Sequence, residues 1–158
     1  MTIQRWRRAG RLGAMLAFLA LLPAIAQADT CKGAPNGGKI TVVVDGLRSS
    51  QGLLTVSLYP EKGFLHKGGT LKNWRDPAKA GTQTMCVYLP PTAQPGLYAF
   101  GVYQDLNSDH HLSYNLIQGP TEPWGFSNNP RAIWPLPFKR VAVLAGKADI
   151  VLHVHLNN

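Results

Sequence analysis

The sequence predicts an all-β fold, an antiparallel sandwich or barrel with one long loop. Three observations carry this reading. Short runs rich in β-branched or alternating apolar residues recur along the chain, Gly and Pro punctuate them, and no stretch shows the apolar period of an amphipathic helix.

The first 28 residues stand apart from that pattern. Arg5, Arg7, Arg8 and Arg11 form a basic start, residues 12–25 are an apolar run, and Ala26-Gln27-Ala28 has the small-x-small form of a cleavage site. This is the pattern of a secretory signal peptide cleaved after Ala28, and it predicts a periplasmic or secreted bacterial protein. The apolar run is short for a membrane span, and no second one follows, so no span is expected after cleavage.

The leader also accounts for part of the charge. The whole chain holds 16 Lys and Arg against 8 Asp and Glu, a net +8. Without the four leader arginines, twelve basic residues less eight acids leave +4, with no basic run longer than Lys139-Arg140. Nucleic-acid binding calls for a concentrated basic patch, and this distribution argues against it. The remaining 130 residues suffice for one domain, 29–158. Cys31 and Cys86 are the only cysteines. In an oxidising compartment, with no CxxC spacing, they point to one structural disulfide.

Residues 39–45 (KITVVVD) and 53–59 (LLTVSLY) read as a hairpin or neighbouring pair of strands with a short turn region between them, and Pro60 ends the second. Residues 61–80 change character, with Gly63, Gly68, Gly69 and Pro77 breaking the pattern. They read as a surface crossover with one short helical turn, its hydrophobes closing one end of the core. Residues 82–89 form a third strand, stopped by Pro90-Pro91, and residues 97–103 a fourth after the Pro95-Gly96 turn. A long loop, 105–130, follows. Residues 140–144 and 149–156 complete the strand set.

Three stretches resemble a known family. They are V-x-GLRS-x-x-G-x-L-x-V-x-LY over 44–59, P-G-x-Y-A-x-x-V-Y-x-D-x-N-x-D over 95–109, and G-P-x-E-x-x-GFSNN-x-R over 119–131. Their order resembles the small exported bacterial proteins grouped as domain of unknown function 2141. The resemblance implies a periplasmic or secreted β-sandwich of immunoglobulin-like or transthyretin-like type. It implies no activity.

Three constellations could carry chemistry. Asp105, Asn107 and Asp109 place oxygen ligands at alternate positions, as calcium loops do, with Asn115 and Glu122 as further donors. The family loop this stretch resembles has a Gly where His110 stands and an Asp where Ser113 stands. Leu116 falls where an EF-hand has its bidentate acid, so any calcium site here is a weak one. The competing reading is that these side chains cap their own turns. Second, His153 and His155 share one strand face, solvent-facing because Leu152, Val154 and Leu156 take the other. With His110 and His111 they would make a zinc or copper site only if the fold gathers them. Third, Trp124, Phe126, Asn128, Asn129 and Arg131 combine rings and amides suited to a carbohydrate or peptide ligand. The alternative there is that the rings pin the loop while the asparagines occupy turn conformations.

Enzyme signatures are absent: no G-x-S-x-G, no H-E-x-x-H, and too few acids for a paired-carboxylate hydrolase. The sequence thus favours a non-enzymatic exported protein that binds a ligand or partner through residues 105–131. A metal-binding module, with calcium or a transition metal, and an enzyme acting on an envelope polymer are the alternatives.

Overall fold

The structure is a computed structural model that describes residues 31–35, 37–131 and 135–157. The expected signal peptide, 1–28, lies outside the described residues. The strands in chain order are β1 (Lys39–Leu47), β2 (Leu53–Pro60), β3 (Lys72–Pro77), β4 (Gly81–Tyr88) and β5 (Gly96–Asp105). Next come three short strands, β6 (Tyr114–Asn115), β7 (Gly119–Pro120) and β8 (Trp124–Phe126). A single helical turn, α1 (Phe138–Val141), leads into β9 (Ala142–Ala145) and β10 (Ile150–His155).

Two sheets hold the fold. One runs β10-β1-β4; the other runs β3-β2-β5-β8, with β9 also on β5. Pairing is antiparallel except between β1 and β10, which run parallel from Ile40–Ile150 to Asp45–His155. A parallel neighbour needs a long crossover, and here almost the entire domain supplies it. The sheets pack face to face through Ile40, Val42, Val44, Met85, Val87, Leu152 and Val154 on one side and Leu54, Val56, Leu58, Trp74, Phe100 and Val102 on the other. The result is an all-β sandwich, as the alternation predicts. The arm before β1 is tied down by the Cys31–Cys86 disulfide and by a bridge from Lys32 to Val87.

Residues 39–45 and 53–59, expected as a hairpin or neighbouring pair, lie in different sheets because each packs its apolar face against the other across the core, and the expected loop 105–130 carries the short strands β6, β7 and β8. Two further departures follow from local sequence. The 61–80 crossover contains a short 3-10 turn, Glu61–Gly63, as expected, but also the edge strand β3. Only Trp74 of KNWRDP points into the core, so the strand has almost no apolar alternation to announce it. The strand expected at 140–144 begins at Ala142, because FKRV forms one helical turn that buries Val141. Among the described residues no helix is long and apolar enough to cross a membrane.

A second apolar cluster lies on the outer face of the larger sheet. Phe64, Ala99, Phe126, Leu136 and Val141 pack there with Tyr59, Trp124 and Phe138 against them. The rings meet edge to face, Phe64 with Tyr59, Phe126 and Phe138 at centroid distances of 5.8, 5.6 and 5.7 Å. One end of this sheet is therefore covered on both faces.

Candidate functional site

Beside that cluster the outer face of the larger sheet is not covered, and it forms the floor of a groove of about 640 Å³. Strand register builds this floor. One row of directly opposed residues runs Arg75, Thr55, Tyr103, Trp124 across β3, β2, β5 and β8. The next row on the same face runs Asn73, Ser57, Gly101, Phe126. Alternation points these side chains away from the core, so hydroxyl, amide, guanidinium and aromatic groups come to one surface.

Gly101 sets the depth of the groove. A Cβ there would lie 3.0 Å from the Phe126 ring and 3.2 Å from the Tyr59 ring. Its absence lets both rings close over the strand. The walls come from the connections. Leu65, Lys67, Gly68 and Thr70 rise on the β2–β3 side, and His110, His111 and Leu112 on the β5–β6 side.

The second wall is held by the acidic residues of the long loop. Asp105 is fully buried, and its two oxygens accept the backbone N–H groups of Asp109 (3.1 Å) and His110 (2.8 Å). Asn107 Oδ1 also accepts the Asp109 N–H, and its Nδ2 donates to Asp109. Asp109 accepts the His111 N–H at 2.8 Å. That backbone bond, with the Asn107 amide next, holds the Asp109 carboxyl below its ordinary value of 3.8. Glu122, also buried, accepts Leu106 N–H at 2.8 Å and Ser113 N–H at 2.9 Å, clasping the start of the loop to its return. The oxygens that a calcium ion would use therefore already accept loop amides, in the turn-capping arrangement. Asn115 likewise accepts from Ile117 and Gln118. His110 has φ 70°, a left-handed conformation, which gives a physical reason for the glycine of the family pattern at this position.

The histidines are not brought together. His110 and His111 stand at the groove, while His153 and His155 are exposed on β10 of the other sheet. The ring of His155 pairs with Asp45, its register partner on β1. Among the described residues no group of three or more His, Cys, Asp and Glu is arranged to hold a metal ion.

The third constellation divides. Trp124 and Phe126 line the groove. Asn128 and Asn129, both left-handed at φ 64° and 43°, direct their amides to backbone instead. Asn128 donates to the carbonyls of Ala142 (3.1 Å) and Arg140 (3.4 Å). Asn129 donates to His153 O and accepts His155 N–H, at 2.9 and 2.8 Å. The buried Ser127 accepts Phe100 N–H at 3.1 Å and donates to the Val141 carbonyl. Arg131 lies beside a smaller cavity of about 220 Å³ together with Asn129 and His155.

Among the described residues, Lys67 and Arg75 line the groove and no Asp or Glu does, although the buried Asp105 carboxylate acts on Tyr103 from behind the wall. Arg75 makes no ion pair with a carboxylate among the described residues, and its Nε is shut from solvent without a hydrogen bond. Burial, and after it the neighbouring Tyr103, raises the Tyr59 hydroxyl above its ordinary value of 10.0. Burial raises Tyr103 too, with Thr55 and Arg75 acting in the other direction. Both phenols are therefore neutral hydrogen-bonding groups at ordinary pH.

Ser57, Tyr59, Asn73, Arg75, Gly101 and Tyr103 were not singled out in the sequence. The available signal is the small or polar alternate positions of β2 and β5, Thr55, Ser57 and Gly101, inside otherwise apolar strands.

A family model described as an uncharacterised protein conserved in bacteria, domain of unknown function 2141, matches residues 42–151. The chain belongs to this family. The matched region runs from β1 into β10, so both sheets, the groove and the long loop lie within the family domain. Cys31, one half of the disulfide, lies outside it. No curated protein and no solved structure shows significant similarity to the chain.

Proposed function

We propose that this member of the family is a non-enzymatic, exported binding protein that takes a small ligand into the groove on its larger sheet. One observation carries the reading. Four aromatic rings, Tyr59, Tyr103, Trp124 and Phe126, converge with hydroxyl and amide groups on a sheet face that a plain sandwich leaves to solvent. The volume falls in the range of small-molecule sites, roughly 300–1,000 Å³. Residues 105–131 contribute one wall and two of the rings, in keeping with a loop held rigid by its own carboxylates. Export is supported by the Ala28 cleavage pattern and by a disulfide that a reducing compartment would not preserve.

The test is intrinsic tryptophan fluorescence of purified protein, titrated with cell-wall sugars, short peptides and small organic acids. Trp124 lies in the groove, so an occupant is expected to shift its emission. A Tyr103→Ala/Trp124→Ala variant is expected to lose the stabilisation that the same compound confers in thermal unfolding, while keeping its circular dichroism. Retained stabilisation in a folded double variant would place binding elsewhere.

A further inference from the structure

The groove lining selects a charge as well as a shape. We propose, resting on the groove as the binding site, that its ligand is a small planar or ring-bearing monoanion whose acidic group is met by Arg75. Three features support this class. Among the described residues the lining contains two cations and no carboxylate. Arg75 sits in the floor, next to Thr55 and Tyr103 in the same row, instead of extending from the rim. Among the described residues it has no carboxylate partner, and a partly buried cation without one is an unfavourable arrangement that an incoming anion corrects.

Guanidinium geometry specifies the acidic group further. Its planar fork matches a carboxylate or a similar oxyanion through two parallel hydrogen bonds, which a neutral ligand cannot reproduce. Tyr103 and Trp124 continue the row away from Arg75, so a ligand anchored there lays its body along aromatic faces. Lys67, exposed on the β2–β3 wall, adds positive potential at the entrance. The groove thus reads one end of its ligand by charge and the other by ring contact.

Two dyes with the same ring skeleton test this: 1-anilinonaphthalene-8-sulfonate, a monoanion, and N-phenyl-1-naphthylamine, its uncharged counterpart. Dissociation constants of both are measured by fluorescence for the native protein, Arg75→Gln, Arg75→Lys and Tyr103→Ala/Trp124→Ala. The expected result is that Arg75→Gln weakens the anionic dye by about tenfold, the scale of one lost charge-assisted hydrogen bond, and leaves the neutral dye unchanged. Arg75→Lys, keeping the charge but not the fork, should fall between. Equal effects on both dyes, or none on either, in a folded Arg75→Gln protein would overturn the anion inference. The groove reading would still stand if the aromatic double variant lost both dyes. Failure of the native protein to bind either dye would remove the groove reading and this inference together.

Discussion

Glu122 shows how much of the site depends on single side chains. Its carboxylate accepts one amide from each arm of the loop, Leu106 and Ser113, in a buried setting. Removing it strands two donors, and an unsatisfied buried polar group costs about 1–3 kcal/mol. Glu122→Ala is therefore expected to lower the unfolding free energy by roughly 2–4 kcal/mol, measured by urea denaturation. Glu122→Gln, which keeps an acceptor oxygen, should lose less. A Glu122→Ala protein as stable as the native one would mean that the loop contributes nothing to the fold. The residues with the most ligand-like chemistry in the sequence, Asp105, Asn128 and Asn129, instead use their polar atoms on backbone. That Asp105 caps its own turn was a reading the sequence offered; the partners of Asn128 and Asn129, up to 26 positions away, were not legible.

At the scale of elements, two features join parts that the strand ladders leave separate. β8 belongs to the larger sheet through β5 but also reaches toward β10, with Trp124 and Asn157 exchanging backbone bonds of 3.1 and 2.7 Å. Gly125 permits this approach, since a Cβ there would lie 2.5 Å from the His155 carbonyl. On the opposite side the disulfide ties the amino-terminal arm to β4 across 55 positions of sequence. Closing a loop of that length restricts the unfolded chain by roughly 4 kcal/mol in the chain-entropy account. A Cys31→Ser/Cys86→Ser variant is expected to lose stability of that order in urea, with the groove and its ligand response intact. If that variant lost ligand response at full fold content, the arm would have a role in the site. β3, β6, β7, β8 and the α1 turn are the elements that pattern reading did not find. β3 is a polar edge strand with a single inward Trp74 and so no apolar alternation, while β6, β7 and β8 are two or three residues each inside a loop, too short to show a period.

At the scale of the whole molecule, stability is expected to respond to alkaline pH through two phenols of the groove. Tyr59 and Tyr103 have folded values raised above 10.0 by burial. The unfolded chain releases these protons first, so the stability linked to them is fully present below pH 10.0 and is lost as pH climbs from there through the folded values. From about pH 10 upward the urea midpoint should fall, and a Tyr59→Phe/Tyr103→Phe variant should show a shallower fall. Parallel curves for the two proteins would assign the alkaline loss to other groups. The same packing that buries these phenols shapes the groove: one end of the sheet is roofed by the second apolar cluster, and the adjacent part lies between two loops.

The amino-acid sequence by itself determined the strand character of the chain, the alternation that divides each strand into core and outer faces, the cysteine pairing and the family. Strand character and alternation depend on local residue types and spacings within a few positions, the pairing on there being only two cysteines, and the family on the order of motifs along the chain. Tertiary structure alone decided that Arg75, Thr55, Tyr103 and Trp124, spread over 70 positions of sequence, lie in one row. It also decided that the loop carboxylates bind amides and that His153 and His155 lie apart from His110 and His111. The physical reason is register. Alternation says which face a side chain takes, but which neighbours it meets there is set by long-range pairing of strands, a property of the folded chain as a whole.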